Sequence, residues 1–490
     1  MKKILALLIA AVMIFALIAA CTDETTPTQG TDTDTGEATA QGTDTDTDEA
    51  TSAQDTDTDT DEATTTQDTD TSGGGVINVW AFTDEIPNAL QFFAENNPDF
   101  PYTINATIIS DQDGAYEAAL NAALIGGGAD APDIFTAEQA FVVNYTQFEF
   151  AEFALPYEEL FGEPVQPLVD AAQIASFIQA AGTNPAGQLV GLGFQSTGSA
   201  FIYRRDLAEQ IWGTDDPEVI ATHIGPGWDR FLVAAAEASA EGIAILSGEG
   251  DAWQAIRQSP NPWIVDGRLV IDDQRMSYLN VGYQLFTNNF TNKTDAWGSQ
   301  WFADMSGVAH EDTEGPVRPV LGYLGPAWLI NYVIAGNAGD TFGDWAITTA
   351  PTPFAWGGTW SMVNANGNPD VRGGVAQLIR WLTLDTTDDG FQFLFANQLM
   401  PGASAKDAVA SGVVMERSDG TLDFLAGQDM FDVFIPAGIY GNSSGWGPQD
   451  RFIDDQFNSF AEQYFMGEMT REEALDGFRQ TIQDTLGIGS

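Results

Sequence analysis

Cysteine and histidine are nearly absent: the 490 residues hold one Cys (Cys21) and two His (His223 and His310). A disulfide framework, a zinc site of the Cys/His kind and Cys–His nucleophilic catalysis are thereby excluded. Positive charge is scarce as well, with 17 Lys plus Arg against 71 Asp plus Glu, a formal net charge of −54. Nucleic-acid binding needs a basic footprint that displaces phosphate counterions, and anionic lipid attracts polybasic segments, so neither is an expected partner. Apolar side chains are plentiful. Hydrophobic residues make up 44% of the chain, with 13 Trp and 31 Phe, and the length suffices for two or three domains with ample core. Carboxylate chemistry, oxygen-ligand metals and plain binding stay open.

The N-terminus reads as an address and an anchor. Lys2 and Lys3 precede an uncharged apolar run over 4–20, whose 17 residues sit at the lower limit for crossing a bilayer. Its small-residue end, Ala19-Ala20, fits a signal peptide (1–20) better than a permanent helix. Ile18-Ala19-Ala20-Cys21 resembles the lipobox of bacterial lipoproteins, in which the cysteine takes a diacylglyceryl group and becomes the mature N-terminus. A second acyl chain gives the stable anchoring that one chain does not. Residues 22–75 carry sixteen acidic side chains and no basic one, with a Thr/Asp unit at 31–39 that recurs at 43–51 and 56–64. Such a segment cannot bury enough apolar surface to offset chain entropy, so 21–75 is expected to be a lipidated cysteine plus a disordered spacer. Asp44, Asp46 and Asp48 superficially suggest a calcium loop, but the turn Gly and distal Glu are missing at the required offsets, and no metal site is expected.

From Val76 strands and helices alternate. Residues 76–82 read as a buried strand, 86–96 as a helix with Ile86, Ala89, Leu90 and Phe93 on one face, and 102–109 as a second strand. A helix over 114–124 and a short strand over 133–136 follow. This order favours an open parallel sheet covered on both faces, in which ligands bind beyond the carboxyl ends of the strands. That rule points at 80–85 and 136–139.

Several segments, in order, resemble the extracellular solute-binding proteins of carbohydrate ABC importers, the group that includes maltose-binding protein. They are Val79-Trp80 with its acidic loop, Asn96-Asn97-Pro98-Asp99, the run 128–134 through Pro132-Asp133, and the run 201–207 from Phe201 through Tyr203 to Asp206-Leu207. Gly227-Trp228-Asp229, Gly325-Pro326-Ala327-Trp328, the run 351–360 ending in Thr359-Trp360, and the tail 467–475 complete the series. The resemblance covers nearly all of the chain after the spacer and departs from the family in a long 251–312 region and very little lysine. It implies an α/β, two-lobe periplasmic-binding-protein-like (type II) fold. Residues 76–188 and 347–398 would build one lobe and 189–346 and 399–490 the other, around a ligand cleft that closes by a hinge.

A sugar offers CH faces to flat aromatics and hydroxyl edges to carboxylates and amides. Trp328 follows Gly325-Pro326, Trp356 and Trp360 bracket Gly357-Gly358, and Trp446 sits in a Gly/Asn/Ser-rich stretch, all loop contexts. Trp212, Trp345 and Trp381 fall in amphipathic stretches and read as core. The expected ligand-binding set is Trp80, Asp84, Glu85, Glu138, Gln139, Tyr203, Asp251, Trp253, Trp328, Gly357, Gly358, Trp360 and Trp446, with Tyr203 equally open to hinge packing. Asp133, at the wrong end of its strand, reads as structural, and His310 as a solvated loop residue. The implied function is non-catalytic capture of a sugar or oligosaccharide outside the cell membrane, for delivery to a two-subunit permease with a cytoplasmic ATPase. The protein would be a monomer, without cofactor, touching the outer face of the membrane only through the lipid on Cys21. Two alternatives stand beside it: a surface-tethered glycoside hydrolase or lyase working with opposed carboxylates, and the same fold binding a cationic solute.

Overall fold

The computed structural model describes residues 74–489 apart from 311–316, 401–404, 440, 442 and 444. The segments expected to be a signal peptide, a lipidated Cys21 and an acidic spacer lie, but for residues 74 and 75, outside the described residues. Among those described, no helix is long and apolar enough to cross a membrane.

Two sheets organise the chain. The larger has five strands in the order β2-β1-β3-β10-β4: β1 (Val76–Ala81), β2 (Thr103–Ile108), β3 (Ile134–Glu138), β4 (Gly191–Gly193) and β10 (Thr359–Val363). β1 runs parallel to β2 and β3, whereas β10 runs antiparallel to β3 and β4. The smaller sheet has the order β8-β5-β9, with β5 (Ala200–Arg204) antiparallel to both β8 (Gly322–Gly325) and β9 (Trp345–Thr349). A short hairpin, β6 (Ile264–Val265) and β7 (Arg268–Leu269), stands apart.

The strand sequences explain their faces. β1 buries Ile77 and Val79 against α1 (Glu85–Asn96) and α2 (Ala115–Gly126), which answer with Ile86, Leu90, Leu120 and Leu124. In β5 the alternation of a strand splits the side chains between two cores. Ala200 and Ile202 join the larger cluster, while Phe201 and Tyr203 join the cluster of the second lobe. The latter is closed by α3 (Trp228–Ala240), whose Phe231, Ala234, Ala235 and Ala238 repeat at helical spacing, and by α4 (Glu249–Ile256), α5 (Asp273–Thr287), α6 (Asp450–Phe465) and α7 (Arg471–Leu486). Thr470 and Glu473 cap α7 reciprocally: the Thr470 hydroxyl accepts from Glu473 N and the Glu473 carboxylate from Thr470 N.

Strand membership moves the expected lobe boundaries. β4 completes the larger sheet, so the chain leaves it after 193, not at 189. β9 pairs with β5, so the return follows 349, not 346. Residues 408–411 remain beside the first lobe: Ala410 N donates to Phe194 O at 2.7 Å and Ser411 Oγ to Ala172 O at 2.6 Å. The last crossing therefore lies beyond these residues, well after 399. In each case a few residues of strand or bridge hydrogen bonding set the segment's lobe, a detail that a resemblance carried by short motifs does not resolve.

Two extended segments pair at the junction, and a third runs along their first-lobe edge. Ser199 N donates to Phe354 O at 3.1 Å and Trp356 N to Thr197 O at 3.0 Å, pairing 197–199 with 354–356. Residues 408–410 run along the other edge of 194–196. The helix Phe431–Ile439 packs directly on this junction, and a Cβ on Gly198 would lie 2.5 Å from the Ala437 backbone, so glycine is what lets the two approach.

Candidate functional site

A cavity of about 980 Å³ opens between the two lobes, at the carboxyl ends of β1 and β3. Of the thirteen expected ligand-binding residues it is lined by Glu85, Glu138, Gln139, Trp253, Trp328, Gly357, Gly358 and Trp446.

The other five lie elsewhere. Trp80 is the last residue but one of β1 and packs against the first lobe's core, its carbonyl accepting from the Tyr116 hydroxyl. Asp84 is exposed at the start of α1, accepting from Asn88 Nδ2 at 3.1 Å. Tyr203 is fully buried in β5, within the core of the second lobe, and donates its hydroxyl to Asp215 O. Asp251 is buried at the start of α4, where it accepts from Trp301 Nε1 at 2.9 Å and from Gly248 N. Trp360 is 1% exposed in β10 and donates Nε1 to Ile178 O at 3.0 Å. Each is held by strand alternation or a helix start, which loop context alone does not reveal. Trp253 is an intermediate case: it reaches the cavity, but its ring is stacked on Phe457 and tilted against Tyr278. Asp133 is structural, accepting from Asn78 N and Asn368 N. Trp345 and Trp381 are buried in core, and Trp212 is half-buried.

One wall is aromatic. Trp328 caps the π-helix Leu329–Ile334, and its indole N–H donates to Trp356 O at 2.9 Å. Trp297 lies nearly parallel to Trp328 (11°, centroids 6.3 Å), and Trp356 stands edge-on to both. Trp297, 47% exposed, was not among the expected residues. Its signal was available: a tryptophan in Thr294-Asp295-Ala296-Trp297-Gly298 has the same turn-rich setting as Trp446. Gly357, at φ +76°, serves this wall. A Cβ there would lie 3.1 Å from Trp328 Nε1, so the missing side chain admits an indole where the expectation had a ligand approaching.

The rest of the lining is acidic. Glu85, Asp111 and Glu138 face it from the first lobe, and Glu249, Asp295, Asp450, Asp454, Asp455 and Glu462 from the second, against Arg257, Arg275, Lys293 and Arg451. Three of these cations are already engaged. Arg257 pairs with Asp454 at 3.0 Å, Arg451 with Asp111 at 2.8 Å, and Arg275 with Asp272 at 2.7 Å. Burial raises the carboxyls of Glu85 and Glu138 and lifts Glu249 and Asp450 to about 7. At the cavity floor Gln139 ties the parts together. It accepts from Gly357 N and donates to Gln258 Oε1 at 3.1 Å, which also accepts from Trp446 Nε1. Such a site offers flat apolar faces, hydroxyl acceptors and amide groups. Among the described residues no group of three or more His, Cys, Asp or Glu is placed to hold a metal ion.

No family model and no curated protein sequence matches the chain. Solved structures do. An extracellular solute-binding protein of family 1 superposes with TM-score 0.67 at 16% identity, over 83% of this chain and 98% of its own. The sugar-binding protein MalE from Xanthomonas citri gives 0.63 at 14% identity, over 84% and 97%. The galacto-N-biose-/lacto-N-biose I-binding protein from Bifidobacterium longum, in complex with lacto-N-biose, gives 0.61 at 16%, over 86% and 100%. At such identities the similarity is one of fold, and the architecture agrees with it: the chain has the two-lobe, type II fold of extracellular solute-binding proteins.

Proposed function

We propose that the chain is a non-catalytic receptor that captures a saccharide in the interlobe cleft and hands it to an ABC-type permease as the lobes close. The observation that carries this reading is the wall of Trp297, Trp328 and Trp356 in a cavity of about 980 Å³ that also presents hydroxyl acceptors. A volume at the upper end of the ~300–1,000 Å³ usual for small-molecule pockets leaves room for more than one sugar ring. That the similar folds belong to sugar-binding proteins supports the same assignment. Glu85, Glu138, Gln139, Trp328 and Trp446 are the proposed ligand contacts from the sequence, with Trp297 and Trp356 added.

Export and anchoring complete the proposal: cleavage before Cys21, lipidation of its thiol, and the acidic 22–75 spacer holding a monomeric receptor off the outer face of the membrane. The acidic excess of the cavity favours a second reading, a cationic solute such as a polyamine. Calorimetry of the purified full chain against neutral mono- and oligosaccharides and against spermidine separates the two. A saturable enthalpy with a neutral sugar supports the receptor reading. Binding of spermidine alone replaces it with the second, and hydrolysis of any sugar during the titration makes the chain an enzyme.

A further inference from the structure

Among the described residues, one ion pair alone joins the two walls of the cleft: Arg451 Nη1 donates to Asp111 Oδ2 at 2.8 Å, across 340 positions of sequence. Asp111 lies between β2 and α2 of the first lobe, and Arg451 is the second residue of α6 in the second. Both line the cavity. We propose that this pair is a strap over the cleft, and that Asp111 and Arg451 are positioning residues that couple lobe closure to ligand capture.

The asymmetry of the pair argues for a strap that can be released. The Arg451 side chain is 48% exposed and that of Asp111 only 17%. Asp111 Oδ1 is buried with no hydrogen-bond partner, so closure leaves half of this carboxylate desolvated and uncompensated. Opening would rehydrate that oxygen while breaking the pair, and the two changes oppose each other. Asp455, on the same helix as Arg451, also attracts it and stays beside the guanidinium when it leaves Asp111, whereas Glu138 departs with the first lobe. A strap of this kind holds the lobes weakly by itself, and closure is completed only when a ligand fills the space beneath it. The inference rests on the two-lobe geometry and not on the identity of the cargo.

The test needs no ligand. Spin labels on Cys residues placed at exposed Asp99 and Glu472, one per lobe, in the otherwise full chain with Cys21→Ser, report the interlobe distance distribution. An exposed-to-partly-buried ion pair of this kind predicts that Arg451→Gln lowers the closed-to-open ratio about two- to fivefold. Raising NaCl from about 0.05 to about 1 M, which shortens the screening length to roughly 3 Å, should do the same in the parent chain and nothing in Arg451→Gln. Asp111→Asn, which keeps the shape, should match Arg451→Gln, and the charge-reversed double variant Asp111→Lys/Arg451→Glu should recover at least part of the closed population. Indistinguishable distributions in parent and Arg451→Gln, or a shift towards closure in Asp111→Asn, overturn the proposal. A failed sugar screen leaves these outcomes unaffected.

Discussion

Trp328→Ala distinguishes a cavity wall from a core residue. Trp328 is half-buried: it lines the cavity, lies parallel to Trp297 and seals against Gly357. Truncating a fully buried Trp costs ~3–5 kcal/mol of folding stability, so a half-buried one should cost ~2 kcal/mol, with ~1 kcal/mol more for the Trp356 carbonyl that loses its donor. In a chain of this size that corresponds to a fall in Tm of roughly 3–4 °C, and the protein stays folded at 25 °C. Loss of an aromatic platform typically costs ~2 kcal/mol of binding, about thirtyfold in Kd. Two companions fix the interpretation. Trp360→Ala empties a sealed core site and should lower Tm more than Trp328→Ala while the folded fraction binds normally. Trp297→Ala removes a 47% exposed ring and should hardly move Tm, yet weaken binding about tenfold. The readouts are differential scanning calorimetry and isothermal titration with a sugar that the parent chain binds. Unchanged affinity in both Trp297→Ala and Trp328→Ala would refute the aromatic wall as the ligand platform, whatever happens to stability.

Other expectations follow from single sites. Gly357→Ala forces a side chain into φ +76° and against the Trp328 indole, and should cost ~1–3 kcal/mol of stability and weaken binding by displacing that ring, checked by the same two measurements. Burial raises Asp407, Glu249 and Asp450 to about 7 in the folded chain, against ~4 when unfolded, so the folded state holds extra protons between these values. Stability from these groups is therefore full below about pH 4 and declines as pH rises towards 7; Tm should be lower at pH 8 than at pH 5.5, and a higher Tm at pH 8 counts against the burial assigned to them. Cys21→Ser should shift the protein from the membrane fraction to the medium without changing the Tm of the folded part, and unchanged membrane retention would exclude lipid anchoring at this residue.

Element types were legible because they depend on local periodicity. The helix face of Ile86, Ala89 and Leu90 and the buried run of β1 are set by contacts a few residues apart, and both formed within a residue or two of their expected limits. The cavity was half legible for the same reason: residues just past strand ends, such as Glu85 and Glu138, are placed by the topology of a parallel sheet. Tryptophan in a Gly-rich stretch was a mixed guide. Trp328 and Trp446 reach the cavity, but Trp360, two residues after Gly358, is already in β10, where alternation turns it to the core. Asp251 misled differently, since an acidic residue two positions into a helix competes for backbone N–H groups as readily as for a ligand. What the sequence could not disclose is pairing over long separations. Arg451 meets Asp111, and Gln139 meets Gln258, only because the chain's crossings between the lobes bring them face to face. No spacing rule links positions hundreds of residues apart, and in a chain this rich in carboxylates the partner of any one arginine is ambiguous until the fold selects it. The same scarcity of cations makes the selection consequential: with Arg257 and Arg275 committed to Asp454 and Asp272 within the second lobe, an Asp111 freed by substitution of Arg451 finds few replacements, so the one interlobe ion pair is singly held and separable by mutation.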